Sequence, residues 1–89
     1  MRVIYKYTLQ ITEEQTVLLP EGHKLLTVQT QEGIGFNRVC LWVDVDPAAV
    51  EHPVKIFIYG TDNRTEEFKG KYLGTVQLNG FVWHVYIDA

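Results

Sequence analysis

The chain predicts an all-β fold, a small antiparallel sandwich or barrel of six to seven short strands that ends in a C-terminal hairpin. Three observations point there. Apolar and polar residues alternate with period two in one segment after another. The apolar residues are mainly Val, Leu, Ile and aromatics, with only three alanines, a mix that favours strands over helices. Gly, Pro, Asn and Asp punctuate the segments as tight turns require. Eighty-nine residues make a single β domain spanning 1–89. A chain of this size buries a little over ~60% of its unfolded surface, a thin core that self-association would supplement.

In the first strand Val3, Tyr5, Tyr7 and Leu9 share one face, and Ile4, Lys6, Thr8 and Gln10 the other. Polar residues 12–15 lead into a short strand, Thr16 to Leu19. Pro20-Glu21-Gly22 is a turn, because proline presets φ and glycine takes the position that would strain a side chain. Leu25 to Gln31 is the third strand, with Leu26 and Val28 on one face and Leu25, Thr27 and Gln29 on the other; the glycines around Ile34 break it. In the fourth strand, Arg38 to Asp46, Val39, Leu41, Val43 and Val45 point one way, and Cys40, Trp42, Asp44 and Asp46 the other. Asp46-Pro47 ends that strand, since proline supplies no donor and disfavours regular structure before it. Ala48 to Glu51 has room for one helical turn at most. Val54 to Tyr59 is the fifth strand, with Val54, Ile56 and Ile58 set against Lys55, Phe57 and Tyr59, and the polar loop Gly60 to Gly70 follows.

The terminal hairpin is the strongest local signal. Two alternating runs, Lys71 to Leu78 and Phe81 to Ile87, flank Asn79-Gly80, and both central residues of a type I′ turn need positive φ. A two-residue loop pairs Leu78 with Phe81, Val76 with Trp83, Gly74 with Val85, and Tyr72 with Ile87 on the core face. It pairs Gln77 with Val82, Thr75 with His84, and Leu73 with Tyr86 on the other. Gly74 is expected to leave room for a neighbouring group.

Composition narrows the function classes. The net charge of −3 is spread along the chain, which argues against non-specific binding to DNA, RNA or anionic membrane. A single cysteine gives no intrachain disulfide and no thiolate zinc cluster. No apolar run approaches the length of a membrane span, and the amino terminus alternates too regularly for a signal peptide, so a cytoplasmic location is expected. Without a secretion signal, Asn63-Arg64-Thr65 carries no weight as a glycosylation acceptor. The chain has no serine and no Gly-x-x-x-x-Gly-Lys loop, and His23, His52 and His84 lack chelating spacing in sequence. No catalytic residue, metal or cofactor is expected.

Several residues still invite a chemical reading. Cys40 would be a nucleophile beside a base, but on an apolar strand a small buried hydrophobe is the commoner role. Asp44 and Asp46 share a face as Mg²⁺ ligands do, or form a solvated face running into an Asp-Pro turn. His84 is either a general base or a cross-strand neighbour of Thr75. Trp83 falls in the core register, while Trp42, beside two aspartates, is a candidate binding surface. The strongest site candidate is the loop Gly60 to Gly70, where Asp62, Asn63, Arg64 and Thr65 offer donors and acceptors, and Arg64, Lys69 and Lys71 can meet a phosphate.

The ordered motifs Tyr5-Lys-Tyr7, Leu19-Pro-Glu-Gly22, Leu26-Thr-Val-Gln29, Leu41-Trp42, Tyr59-Gly-Thr61, Tyr72-Leu-Gly-Thr75 and Phe81-Val-Trp-His-Val-Tyr86 resemble a family of small domains of unknown function found mainly in bacteriophage and prophage genomes. The match spans nearly the whole chain, except that Ile34 to Val39 looks longer than the usual connection. The resemblance implies an intracellular, non-enzymatic phage accessory protein. It leads to a first expectation: a homo-oligomer that counters host antiviral defence by sequestering a small anionic, nucleotide-like signal at Arg38, Trp42, Tyr59, Asn63 and Arg64. A protein–protein inhibitor of a host defence protein, acting through a sheet edge or aromatic face, is the alternative. A structural phage protein without a ligand, or a phosphoesterase built on Asp44, Asp46 and His84, are the others.

Overall fold

The inward row expected of the fourth strand organises the molecule: Val39, Leu41, Val43 and Val45 are each 1% exposed or less. The computed structural model describes residues 1–33 and 36–88. Among them are seven strands, β1 (Val3–Leu9), β2 (Gln15–Pro20), β3 (Lys24–Gly33), β4 (Phe36–Val45), β5 (Glu51–Gly60), β6 (Lys71–Leu78) and β7 (Phe81–Asp88), with one 3₁₀ turn at Thr65–Glu67. They form two antiparallel sheets, β1-β4-β3 and β2-β5-β7-β6. One hydrophobic core draws on both, with the β4 row joined by Leu9, Leu19, Val28, Val54, Ile56, Ile58, Val76, Val85 and Ile87. The fold is therefore a sandwich, and the barrel alternative falls because no ladder joins the sheets among the described residues. Its extents, 40 × 36 × 16 Å, are those of two thin layers. No helix among the described residues is long and apolar enough to cross a membrane.

Pairing sets the strand ends. β5 begins at Glu51 rather than Val54 because β2 pairs with it through Pro53, where the described pairing to β7 has not yet begun. Gly33 pairs with Phe36 at the end of the β3–β4 hairpin; the Ile34-Gly35 part of the expected longer connection lies outside the described residues.

Two bulges correct the face assignments. The β3–β4 register shifts between Leu25 and Thr27, so Leu25 packs on the core and Leu26 is 49% exposed, the reverse of the alternation expected there. In the terminal hairpin the expected register holds from Leu78–Phe81 to Gly74–Val85, and then shifts between Tyr72 and Gly74. Tyr72 consequently pairs with Tyr86 rather than Ile87 and turns outward, while Leu73 packs on the core. An extra residue in one strand reverses every side chain beyond it. The turn itself is as expected, with φ of 52° at Asn79 and 83° at Gly80. Phe81, at the hairpin tip, is 65% exposed despite its core register.

Gly74 sits where the two sheets approach closely. A Cβ there would lie 2.7 Å from Val28 Cγ1, and the Thr30 hydroxyl on the same β3 donates to the Gln77 carbonyl of β6. Gly74→Ala is expected to lower stability by about 1–3 kcal/mol. Adding Val28→Ala is expected to recover part of that loss, so that urea denaturation of the two single variants and the double variant shows a coupled, less-than-additive cost.

Tyr7 on β1 is expected to make stability fall at alkaline pH. Burial first, then the negative charges of Glu51 and Tyr5, raise its pKa above the ordinary 10.0. The folded chain thus holds this proton more tightly than the unfolded one. Its contribution is complete below pH 10 and is lost as pH rises through the folded value. Tyr7→Phe is expected to flatten this decline, read as the urea midpoint of both proteins between about pH 8 and 11.

Candidate ligand-binding site

β5 turns Lys55, Phe57 and Tyr59 away from the core, and β7 turns His84 and Tyr86 to the same side, because opposed residues of an antiparallel pair share a face. The bulge at Leu73 adds Tyr72 to that surface. Onto it folds the loop between β5 and β6, whose Phe68 ring stacks on Tyr59 with centroids 3.9 Å apart and planes 3° from parallel. Tyr86 stands nearly perpendicular to Tyr59, Phe68 and Tyr72, with centroids 5.2–5.6 Å away. Phe57 lies under this cluster, only 3% exposed although it faces outward. Further bonds pin the loop: the Lys69 amide donates to the Tyr59 hydroxyl at 3.0 Å, and the Asn63 side-chain amide to the Gly60 carbonyl at 2.8 Å.

Between this loop and Glu13-Glu14 is a cleft of about 350 Å³, open on one side. Its floor is Phe57, Tyr59 and Phe68; Asn63, Arg64 and Lys69 supply donors, and Glu13, Glu14 and Glu67 supply carboxylates. The Arg64 guanidinium donates to Glu66 at 3.0 Å, and both side chains are mostly exposed. A backbone hydrogen bond first, and Arg64 second, hold the Glu66 carboxyl below its ordinary 4.5. Glu14 pairs with Lys55 at 3.4 Å. The cleft thus offers aromatic surface and hydrogen-bond donors in a field of mixed charge.

The five candidate residues divide between opposite faces of the sandwich. Tyr59, Asn63 and Arg64 converge on the cleft. Arg38 and Trp42 project from β4 on the outer face of the three-stranded sheet, where Trp42 lines a shallow apolar groove with Ile4 and Leu26. Sequence reasoning missed Phe68 and the two glutamates at 13 and 14. The alternation of Phe57 with Tyr59, and of His84 with Tyr86, was a visible sign of an aromatic outer face.

The other chemical candidates have structural partners. Cys40 is fully buried, its thiol toward the Gln31 side-chain Oε1 at 3.8 Å. Arg2 pairs with Asp44 at 2.8 Å, and Asp46 accepts from the Ala48 amide at 3.0 Å. His84, on the other sheet from both aspartates, meets the hydroxyls of Thr75 and Thr61 at 3.0 Å through its two ring nitrogens. Among the described residues no three His, Cys, Asp or Glu side chains are grouped to hold a metal.

A family model described as a domain of unknown function, DUF7352, matches residues 1–89. The chain belongs to the DUF7352 family. No curated protein and no solved structure matches it significantly. The cleft of this DUF7352 domain is therefore read from its own geometry.

Phe68 ties the loop to the sheet. Phe68→Ala is expected to cost about 1–2 kcal/mol, the worth of a half-buried stacked ring. It is also expected to raise proteolytic cleavage and amide exchange between Thr61 and Lys69, while exchange in β4 and β7 changes only with global stability.

Proposed function

We propose that this DUF7352 domain is a non-enzymatic binding module that holds a small nucleotide-like anion in the cleft between Glu13-Glu14 and the Gly60–Gly70 loop. The observation that carries this reading is the convergence of Tyr59, Asn63, Arg64 and Lys69 on one cleft of about 350 Å³. That volume lies at the small end of ligand pockets and suits a single nucleoside with a phosphate. Arg64 would exchange an exposed carboxylate for a bidentate phosphate, and the ligand ring would lie against the aromatic floor. Glu13, Glu14 and Glu67 set a limit on ligand charge, since each added phosphate meets three carboxylates.

The motif resemblance supports the biological setting: a bacteriophage-encoded accessory protein in the host cytoplasm that counters antiviral defence by sequestering the signal. A second copy of the chain would close the open side of the cleft, which fits a homo-oligomer. A different observation favours the second reading, inhibition of a host defence protein. Ile4 is 62% and Leu26 49% exposed beside Trp42, an apolar groove on the opposite face.

Native mass spectrometry of the protein purified from a host with active nucleotide signalling tests both. A retained anionic mass is expected, lost in Arg64→Ala and Asn63→Ala and kept in Arg38→Ala and Trp42→Ala. A wild-type protein that carries no small molecule, or retention in all five folded alanine variants including Tyr59→Ala, overturns the cleft assignment and directs the search to a protein partner.

A further inference from the structure

We propose that His23 and His52 form a two-imidazole site for a borderline divalent transition-metal ion such as Zn²⁺, Ni²⁺ or Cu²⁺. The sequence separates them, and the β2–β5 pairing brings them together. His52 lies on β5 opposite Leu19, and His23 closes the turn that follows β2. The ring centroids are 5.7 Å apart, with planes tilted by 42°.

That spacing is compatible with a shared ion. A metal–nitrogen bond of about 2.0–2.1 Å, plus about 1.1 Å from nitrogen to ring centre, places each centroid about 3.2 Å from the metal. Two rings on one ion are then about 5.2 Å apart at a tetrahedral angle and about 6.4 Å apart when opposed. The observed distance falls between these limits.

The turn also selects the ring nitrogen that would bind. His23 Nδ1 lies 3.1 Å from the Pro20 carbonyl oxygen. A carbonyl only accepts, so Nδ1 carries the hydrogen and Nε2 of the neutral ring keeps its lone pair. Metal-binding histidines are oriented in this way, with the distal nitrogen donating to a carbonyl or carboxylate. The backbone is held as well. The His23 amide donates to Pro20, the Glu21 amide to the Val50 carbonyl at 2.9 Å, and Arg2 to the Gly22 carbonyl at 3.0 Å. Glu51 directly precedes His52 and Glu21 lies two residues before His23; both are exposed and add negative potential, opposed by the exposed Lys24 that follows His23. Arg2, which reaches the same turn, is neutralised by Asp44. No third side chain completes the set among the described residues, so water would fill the remaining positions and the site would be open.

The test is a titration of the 89-residue chain, without a histidine tag, with Zn²⁺ or Ni²⁺ alone, read by calorimetry and by competition with a chromogenic chelator. One ion per chain is expected, with affinity in the micromolar range. His23→Gln and His52→Gln each lower affinity at least tenfold with an unchanged circular dichroism spectrum. His84→Ala, on the far sheet surface, leaves it unaltered. His52 is exposed, so its substitution keeps the proposal testable even where a change at His23 disturbs the turn. Affinity unchanged in His52→Gln, or lost equally in His84→Ala, overturns the site.

Discussion

A two-layer sandwich with one core imposes a single condition on this chain: every strand must give alternate residues to the interior. The row of β4 shows it in the purest form, with Val39, Leu41, Val43 and Val45 all sealed between the layers. They belong to one core cluster with Ile56 and Ile58 of β5 and Val85 and Ile87 of β7, which joins the layers. At roughly 1.5–3 kcal/mol for each fully buried aliphatic side chain, this row outweighs the exposed ion pairs of the surface, each worth about 1 kcal/mol or less. Where Gly74 meets Val28, the layers approach so closely that a methyl group no longer fits. The core takes one residue in two, and the other half of each strand is left to the outer faces.

This division explains how much could be read from the sequence. The strict alternations of β1, β4 and β5 give the face of each residue directly, though not its burial, since outward Cys40 and Phe57 are covered and Tyr5 of the inward row is 43% exposed; Asn79-Gly80 fixes the hairpin register as far as Gly74. Reading fails at Leu25-Leu26 and Tyr72-Leu73 for one reason. Each is a pair of adjacent large apolar residues, so either can face inward, and only the bulge decides which does. The site behaves similarly. Loop length and polarity pointed to Asn63 and Arg64, which the structure places with Tyr59 at one cleft. The position of Phe68 over Tyr59, and of Glu13 and Glu14 across the cleft, depends on how two separate loops fold back over β5. No local pattern encodes that. The approach of His23 and His52 is tertiary in the same sense, since it follows from the pairing of β2 with β5 and not from spacing along the chain.

Electrostatics constrains the cleft more than its shape does. Arg64 is engaged by Glu66, and Lys55 by Glu14, so neither cation stands ready for an anion. The engagement is weak, however, because both pairs are largely exposed, and such pairs contribute about 0–1 kcal/mol. A phosphate accepting two charge-assisted hydrogen bonds from Arg64 would exceed that cost, whereas the carboxylates at Glu13, Glu14 and Glu67 would repel it at longer range. The balance favours a ligand of low charge, and the long-range part is screened at high salt.

The aromatic floor adds the last constraint. Phe68 occupies the face of Tyr59 that a ligand base would use, at the distance of a stacked pair. A base can therefore lie against the cluster in two ways, by adding to the outer side of Phe68 or by displacing it. Displacement forfeits a stacking contact of about 0.5–1.5 kcal/mol and replaces it with a similar one, so the exchange is nearly neutral in the rings themselves. What it changes is the loop: once Phe68 leaves, the bonds from the Lys69 amide to the Tyr59 hydroxyl and from the Asn63 side chain to the Gly60 carbonyl are what remain to hold it on the sheet. In the proposed binding mode, a ligand ring would either extend the Tyr59–Phe68 stack or take the place of Phe68 in it.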